Sequence, residues 1–243
     1  MINIVIPISA KSKISSEKQY NYPLPLIELY GKSLIEYSLE SFKSITDDFK
    51  YTFILREEDC AKYNFDNSLR LLAPGSNIIK LKNTTKGAIC SILMSIDLLN
   101  NTNELIIANY DQLFKADLQA VVDKFRSEDA DGGLITFRSI HPRWSYARVI
   151  NDNDIIQTAE KNPISNNAIA GFYYFKKFNF FRDSSFDVIR NNENYQGKFY
   201  TSSTFNQMVL NSMKVKNYTI HENQYFSFYS EDKLKEFKEY LTK

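Results

Sequence analysis

A chain of 243 residues has room for one large α/β domain or two small ones. Its 43% hydrophobic and 24% charged content is ordinary for a globular protein, and a net charge of +1 without a basic stripe points away from a nucleic acid polymer as partner. No apolar run reaches membrane-spanning length, and the chain opens on a strand without a basic n-region or an apolar h-region, so we expect a cytoplasmic protein with no membrane partner. Two cysteines, Cys60 and Cys90, fall inside helical patterns without metal-ligand spacing and read as reduced packing thiols.

Taken in chain order, residues 2–7 are a continuous apolar strand, followed by a long polar loop over 8–32. Helical spacing of Leu34, Ile35, Tyr37, Leu39 and Phe42 predicts a helix over 33–45. A strand at 51–55, a short helix at 57–63 and a strand at 77–81 come next. Ile89, Ile92, Leu93, Ile96 and Leu99 give a core-facing helix over 86–99, and 104–108 is a further apolar strand. This βαβαβ alternation predicts a mostly parallel sheet with helices on both faces. Beyond it, strands at 132–137, 146–150, 155–160 and 169–176 have too few helices between them for strict alternation, so antiparallel members are expected. The tetrad 151–154 is a turn. Helices at 179–190 and 202–213, a strand at 215–221 and a charged amphipathic helix at 231–240 complete the pattern. With no low-complexity linker, the reading is a single domain, 1–243, with a nucleotide side (1–115) and an acceptor side (116–243).

The strand at 104–108 runs into Asn109-Tyr110-Asp111-Gln112. Ligands of open α/β sheets bind beyond the carboxyl ends of strands, which places Asp111 to meet a phosphate or a metal. A carboxylate at the edge of a dry core needs a partner, and Mg²⁺ carried by a nucleoside triphosphate is a common one. The alternative is that Asp111 caps a helix beginning near Ala116.

The order of several short motifs resembles the sugar-nucleotidyltransferase family, the nucleoside-diphosphate-sugar pyrophosphorylases and the cytidylyltransferases of small phosphorylated alcohols. Residues 3–7, then Tyr22-Pro23-Leu24-Pro25-Leu26-Ile27 and Gly31-Lys32-Ser33-Leu34-Ile35, are similar to the family's first strand, phosphate loop and P-K-P-L-I run. Thr85-Lys86-Gly87-Ala88 resembles the segment approaching the base, and residues 109–112 resemble the metal-binding motif. Ala159-Glu160-Lys161-Asn162-Pro163 and Ala170-Gly171-Phe172-Tyr173 resemble the sugar-side strands, while residues 141–147 are similar to an H-P-x-W-S-Y-A segment of a capsule and surface-glycan branch. The resemblance implies a Rossmann-like (GT-A-type) three-layer α/β sandwich with a mixed, mostly parallel central sheet. It further implies transfer of a nucleoside monophosphate, a pyrimidine one, from a nucleoside triphosphate to a phosphorylated sugar or small alcohol for capsule or surface-polysaccharide precursors. The chemistry relies on positioning, Mg²⁺ and cations.

On that resemblance Asp111 holds Mg²⁺ and, with Ser9, Ala10, Gly87 and Ala88, the nucleotide; Lys11, Lys13 and Lys161 supply catalytic cations; Trp144, Tyr146, Glu160 and Gly171 line the acceptor side, Trp144 and Tyr146 together with Arg143 and Arg148. A homodimer is common in the family, and the 14% aromatic content hints at an extra interface. The chain also departs from the pattern. Ala10 and Ser12 replace loop glycines, Ile14 replaces an arginine, Leu24 replaces a lysine between prolines, and residues 225–230 contain no second acid, Glu222 being the nearest. These departures keep a second reading open, a member that has lost catalysis and binds a nucleotide or a partner. A third, a glycosyltransferase, lacks its Asp-x-Asp pair, since Asn109 stands in the first position.

Overall fold

The computed structural model of the protein describes residues 1–10, 22–151 and 153–242. Ile2–Ile8 forms β1, a nearly fully buried strand in the interior of the main sheet, as a continuous apolar run requires. A small ribbon, β2 (Glu28–Leu29) and β3 (Lys32–Ser33), leads into α1 (Leu34–Glu40). The Ser-x-x-Glu sequence sets that start: the Glu36 carboxylate accepts from the Ser33 backbone N–H at 2.7 Å. The helix expected over 33–45 is α-helical only to Glu40, and Ser41–Ser44 tighten into a 3-10 turn. Ser41 Oγ accepts from the Phe114 N–H (2.8 Å) and Ser44 Oγ from the Leu118 N–H (2.9 Å), so this turn serves neighbouring elements.

Strand β4 (Phe49–Arg56) is followed by α2 (Glu57–Tyr63) and a helix the sequence pattern did not show, α3 (Phe65–Leu72). Asn64, at φ 54°, separates them; its N–H closes α2 on the Cys60 carbonyl and its carbonyl opens α3. After β5 (Asn77–Leu81) comes α4 (Ala88–Leu93), much shorter than the helix expected over 86–99. Gly87, at φ 113°, fixes its start, and the Ser95 hydroxyl bonds back to the Ile92 carbonyl beyond its end. Strands β6 (Glu104–Ala108) and β7 (Gln112–Phe114) then precede α5 (Leu118–Ser127). The cap of α5 is Asp117, whose Oδ1 accepts from the N–H groups of Gln119 and Ala120 at 3.0 and 3.2 Å. This overturns the helix-cap alternative for Asp111.

The second half contains β8 (Gly132–Arg138), β9 (Ser145–Ile150), β10 (Asp154–Glu160), β11 (Asn167–Phe175), α6 (Phe178–Arg190), α7 (Thr201–Leu210), β12 (Val215–Thr219), β13 (Tyr225–Ser227) and α8 (Glu231–Leu241). Nine strands form one sheet in the order β5-β4-β1-β6-β11-β8-β12-β10-β9. Strands β11 and β10 run antiparallel to their neighbours and the other seven share one direction, which makes the sheet mixed and mostly parallel. Strand alternation sorts the core into two layers. Ile2, Ile4 and Ile6 face Ile35 of α1 and Leu118, Val122 and Phe125 of α5. Val5 faces the opposite layer, with Ile92 of α4, Phe178 and Phe181 of α6 and Phe205 of α7. A third cluster joins Leu24, Ile27, Leu34 and Tyr37 to Phe228 of the β13–α8 segment and to Leu234 and Phe237 of α8. Each fully buried Leu, Ile or Phe in these layers is worth roughly 1.5–3 kcal/mol.

Candidate active site

Two adjacent parallel strands, β1 and β6, end side by side, with Val5 in register with Ile107. Ser9 follows the first and Asp111 the second, at the sheet edge where α/β folds bind ligands. Gly171 shapes the Asp111 turn. Its carbonyl accepts from the Asn109 N–H (3.0 Å) and from Gln112 Nε2 (2.9 Å), while Gln112 Oε1 accepts from the Tyr225 hydroxyl (3.1 Å). With φ at +64°, a Cβ on Gly171 would strike Asn109 Nδ2 and Gln112 Oε1, so this approach requires glycine. Gly171 therefore acts here by holding the Asp111 turn.

Strand β13 pairs with β7 immediately after Asp111, and the Phe228 N–H donates to the Asp111 carbonyl at 2.8 Å. The segment 225–230 thus lies beside Asp111, although it contributes no acid. Burial pushes the Asp111 carboxyl above the usual carboxylate range, opposed by its own backbone N–H and by the Arg143 charge. The Arg143 guanidinium lies over the rings of Tyr229 and Trp144, and Trp144 meets Tyr225 and Tyr229 edge-on with centroids 6.0 and 5.6 Å away. Tyr146, by contrast, is 0% exposed in the core, and its hydroxyl donates to the His141 carbonyl (2.6 Å). Tyr146 anchors the turn that carries Arg143 and Trp144. Arg148 is exposed on β9.

At the end of β1, the hydroxyl of Ser91 shares hydrogen bonds with Ser9 (2.9 Å) and Thr85 (2.6 Å), linking that strand end to the start of α4. Ala10 is exposed and Ala88 half-buried. A Cβ on Gly87 would strike the Phe199 backbone, whose N–H donates to the Lys86 carbonyl at 2.7 Å. Lys11 and Lys13, like Ser12 and Ile14, lie outside the described residues. Leu24, where the resemblance expects a lysine, is 1% exposed and belongs to the third core cluster.

At the end of β10, Glu160 accepts from the hydroxyls of Ser145 and Ser202, the latter at 3.1 Å. Burial raises its carboxyl pKa against those two hydrogen bonds and the Lys161 charge. Lys161, at φ 52°, donates to the Tyr200 hydroxyl (3.3 Å) and sits 5.2 Å from the ring centroids of both Tyr195 and Tyr200. The same 195–200 segment packs on Gly87 through Phe199, so one loop touches both the end of β10 and the start of α4. Tyr195, Tyr200, Tyr225 and Tyr229 were not singled out as site residues from sequence. Tyrosines abound, with 16 in the chain, and nothing local distinguishes those that reach the site.

A mostly parallel sheet with an acid beyond one strand and a glycine-started helix beside it has the architecture in which α/β proteins bind ligands at strand ends. The chain belongs to the nucleotidyl transferase family, whose profile matches residues 20–225. A search of functionally curated proteins finds no match. Among solved structures, the chain is similar to a nucleoside-diphosphate-sugar pyrophosphorylase from Vibrio cholerae RC9, with 22% identity, a TM-score of 0.83, and coverage of 97% of this chain and 99% of that one. It is similar to the inositol-1-phosphate CTP transferase of T. maritima at 15% identity and a TM-score of 0.72, covering 99% and 94%. A UDP-glucose pyrophosphorylase from acinetobacter baumanii gives 14% identity and a TM-score of 0.73, covering 98% and 92%. At these identities the likeness speaks for the fold. Among the described residues no helix is long and apolar enough to cross a membrane.

Proposed function

We propose that this protein transfers a nucleoside monophosphate, a pyrimidine one, from a nucleoside triphosphate to a phosphorylated sugar or small phosphorylated alcohol, in the synthesis of capsule or surface-polysaccharide precursors. The observation that carries this reading is the placement of Asp111 beyond β6, beside the end of β1, in a chain of the nucleotidyl transferase family. The acceptor's phosphate oxygen attacks the α-phosphorus, a new P–O bond forms, and pyrophosphate leaves with the electrons of the broken bond. Such a reaction depends on orientation and charge neutralisation more than on protein acids and bases. Ser9, Ala10, Gly87 and Ala88 line the nucleotide side. Lys161 meets the acceptor phosphate, oriented by its two tyrosines, and Glu160 faces an acceptor hydroxyl. We read 1–243 as one domain whose two halves meet at this edge, in keeping with a family match that spans both.

The donor set fits Mg²⁺ that arrives on the nucleotide better than a resident ion. Asp111 is one carboxylate, and no group of three His, Cys, Asp or Glu residues gathers among the described residues. Mg²⁺ is commonly held by one or two carboxylates completed by substrate phosphates and water, and Asp111 would be such a ligand. When bound, Mg²⁺ neutralises triphosphate charge.

The test is to incubate the protein with each nucleoside triphosphate, Mg²⁺ and a panel of phosphorylated sugars and alcohols, measuring pyrophosphate. Release that Asp111→Ala abolishes is the expected outcome. No turnover across the panel, with no nucleotide binding by calorimetry, sinks the catalytic reading. The second reading, a binding protein without catalysis, is favoured by the burial of Leu24 where the family's loop carries a cation.

A further inference from the structure

The family resemblance expects an arginine and a lysine where this chain has Ile14 and Leu24, and the fold brings an arginine near Asp111 from a different segment. Arg143 sits in a turn fixed at several points. Its N–H donates to His141 Nδ1 (3.3 Å), the Trp144 N–H donates to the His141 carbonyl (3.3 Å), and the buried Tyr146 hydroxyl donates to that same carbonyl. His141 is thus the hub of the turn. The guanidinium is flanked by the Trp144 and Tyr229 rings, and Tyr229 follows Phe228, whose N–H is bonded to the Asp111 carbonyl.

Three facts about Arg143 do not suit a purely structural staple. Its Nε is buried with no hydrogen-bond partner among the described residues. The charge lies within electrostatic reach of the Asp111 carboxylate, yet the two side chains share no hydrogen bond and form no ion pair among the described residues. The two rings hold the planar fork in place, the Tyr229 hydroxyl also hydrogen-bonding to it, and a guanidinium so held can bind an oxyanion through its remaining N–H groups. A guanidinium and a carboxylate within electrostatic reach of each other, with no bond joining them, match a phosphate and the cation it carries.

We infer that Arg143 binds a phosphoryl oxyanion of a substrate beside Asp111, taking the place of the two cations that Ile14 and Leu24 do not supply. This rests on the nucleotidyl-transfer reading for the identity of the substrate, and the phosphoryl group is that of the nucleoside triphosphate or that of the acceptor. Lysine retains the charge without the fork, whereas methionine retains the apolar stem alone.

Trp144 is the only tryptophan in the chain and lies against Arg143, so its fluorescence reports on this site directly. The experiment titrates wild type, Arg143→Lys and Arg143→Met with CTP or UTP, each with and without Mg²⁺, and separately with glucose 1-phosphate and glycerol 3-phosphate. Thermal midpoints are recorded in parallel. A saturable change is expected in wild type, with affinity for one of the two ligand classes falling roughly ten- to hundredfold in Arg143→Met, as for loss of charge-assisted hydrogen bonds. Arg143→Lys falls between them, and the midpoint of Arg143→Met stays near that of wild type. The class that loses affinity identifies the phosphoryl source. Wild-type affinity for both classes in Arg143→Met overturns the inference, as does a wild type that binds neither class. So does a loss that tracks a lowered midpoint and is not relieved by lysine, which reduces Arg143 to a staple. Binding through Arg143 without pyrophosphate release sinks the transfer reading alone. Turnover with full affinity in Arg143→Met sinks this inference alone.

Discussion

At the amino end of β6, Glu104 accepts from Arg126 through both oxygens (2.8 and 2.5 Å) and from the Tyr174 hydroxyl at 2.6 Å. Arg126 also reaches Asp47 at 2.7 Å, tying α5 to the sheet. Beyond the carboxyl end of the same strand, Asp111 has neither an ion pair nor a fork among the described residues. Burial works against ionisation of both acids, but only Glu104 has hydrogen bonds enough to end below the usual carboxylate range, whereas Asp111 ends above it. The contrast separates a charge that the fold has satisfied for its own stability from one that no ion pair among the described residues satisfies.

Replacing each acid in turn tests that contrast. The largest effect expected is at Asp111. Asp111→Asn should lower pyrophosphate release by roughly 10²–10³-fold, the scale of removing one electrostatic stabiliser of a transition state. The thermal midpoint should hold or rise, because a carboxylate whose ionisation the fold opposes has gone. A parallel fall in midpoint would place Asp111 with the structural acids.

A smaller effect is expected from Glu104→Ala, which leaves Arg126 and the Tyr174 hydroxyl without their acceptor. With Arg126 partly exposed and screened, the loss should be about 1–2 kcal/mol in denaturant unfolding, with specific activity of the folded fraction unchanged.

The smallest effect is in pH dependence. Because the folded pKa of Glu104 is depressed, its contribution is present above the unfolded carboxylate value of about 4.3 and is lost as pH falls through the folded value. Asp111 has the opposite sign: its cost begins as pH rises past the unfolded value of about 3.9 and is complete above the folded one. Between pH 6 and 3, wild type should therefore lose more stability than Glu104→Gln, whereas Asp111→Asn should lose more than wild type. Superimposable curves for all three would erase the distinction between the two ends.

Most of the sheet was legible in the sequence because its central strands are buried on both faces. The runs that became β1 and β6 had no other way to bury Ile2, Ile4, Ile6, Leu105 and Ile107. Helix limits were less legible because serines decided them through side-chain bonds: Ser41 and Ser44 serve β7 and α5, and Ser95 turns back on α4. The β7–β13 ribbon is three residues per strand, too short for any periodic signal. At the site, Asp111 and Lys161 were legible as strand-end residues. The meeting of Arg143 with Tyr229 was not, since the two are far apart in sequence and neither has a pattern that names the other. Leu24 shows the remaining difficulty. A departure from a motif tells which charge is missing, and only the fold tells that the position has become core.

The third core cluster, which seats Leu24, Ile27 and Leu34 against Phe228, Leu234 and Phe237, also sets a schedule for synthesis. A ribosome releases the loop side of this cluster long before the helix that covers it. Contacts spanning nearly the whole chain close late and slowly, at the entropic cost of a long loop. Until α8 has emerged, the nascent protein can build much of its sheet, but the apolar underside of the loop beside Asp111 stays open to water. The edge of the sheet that carries Asp111 is therefore among the last parts of the molecule to be completed.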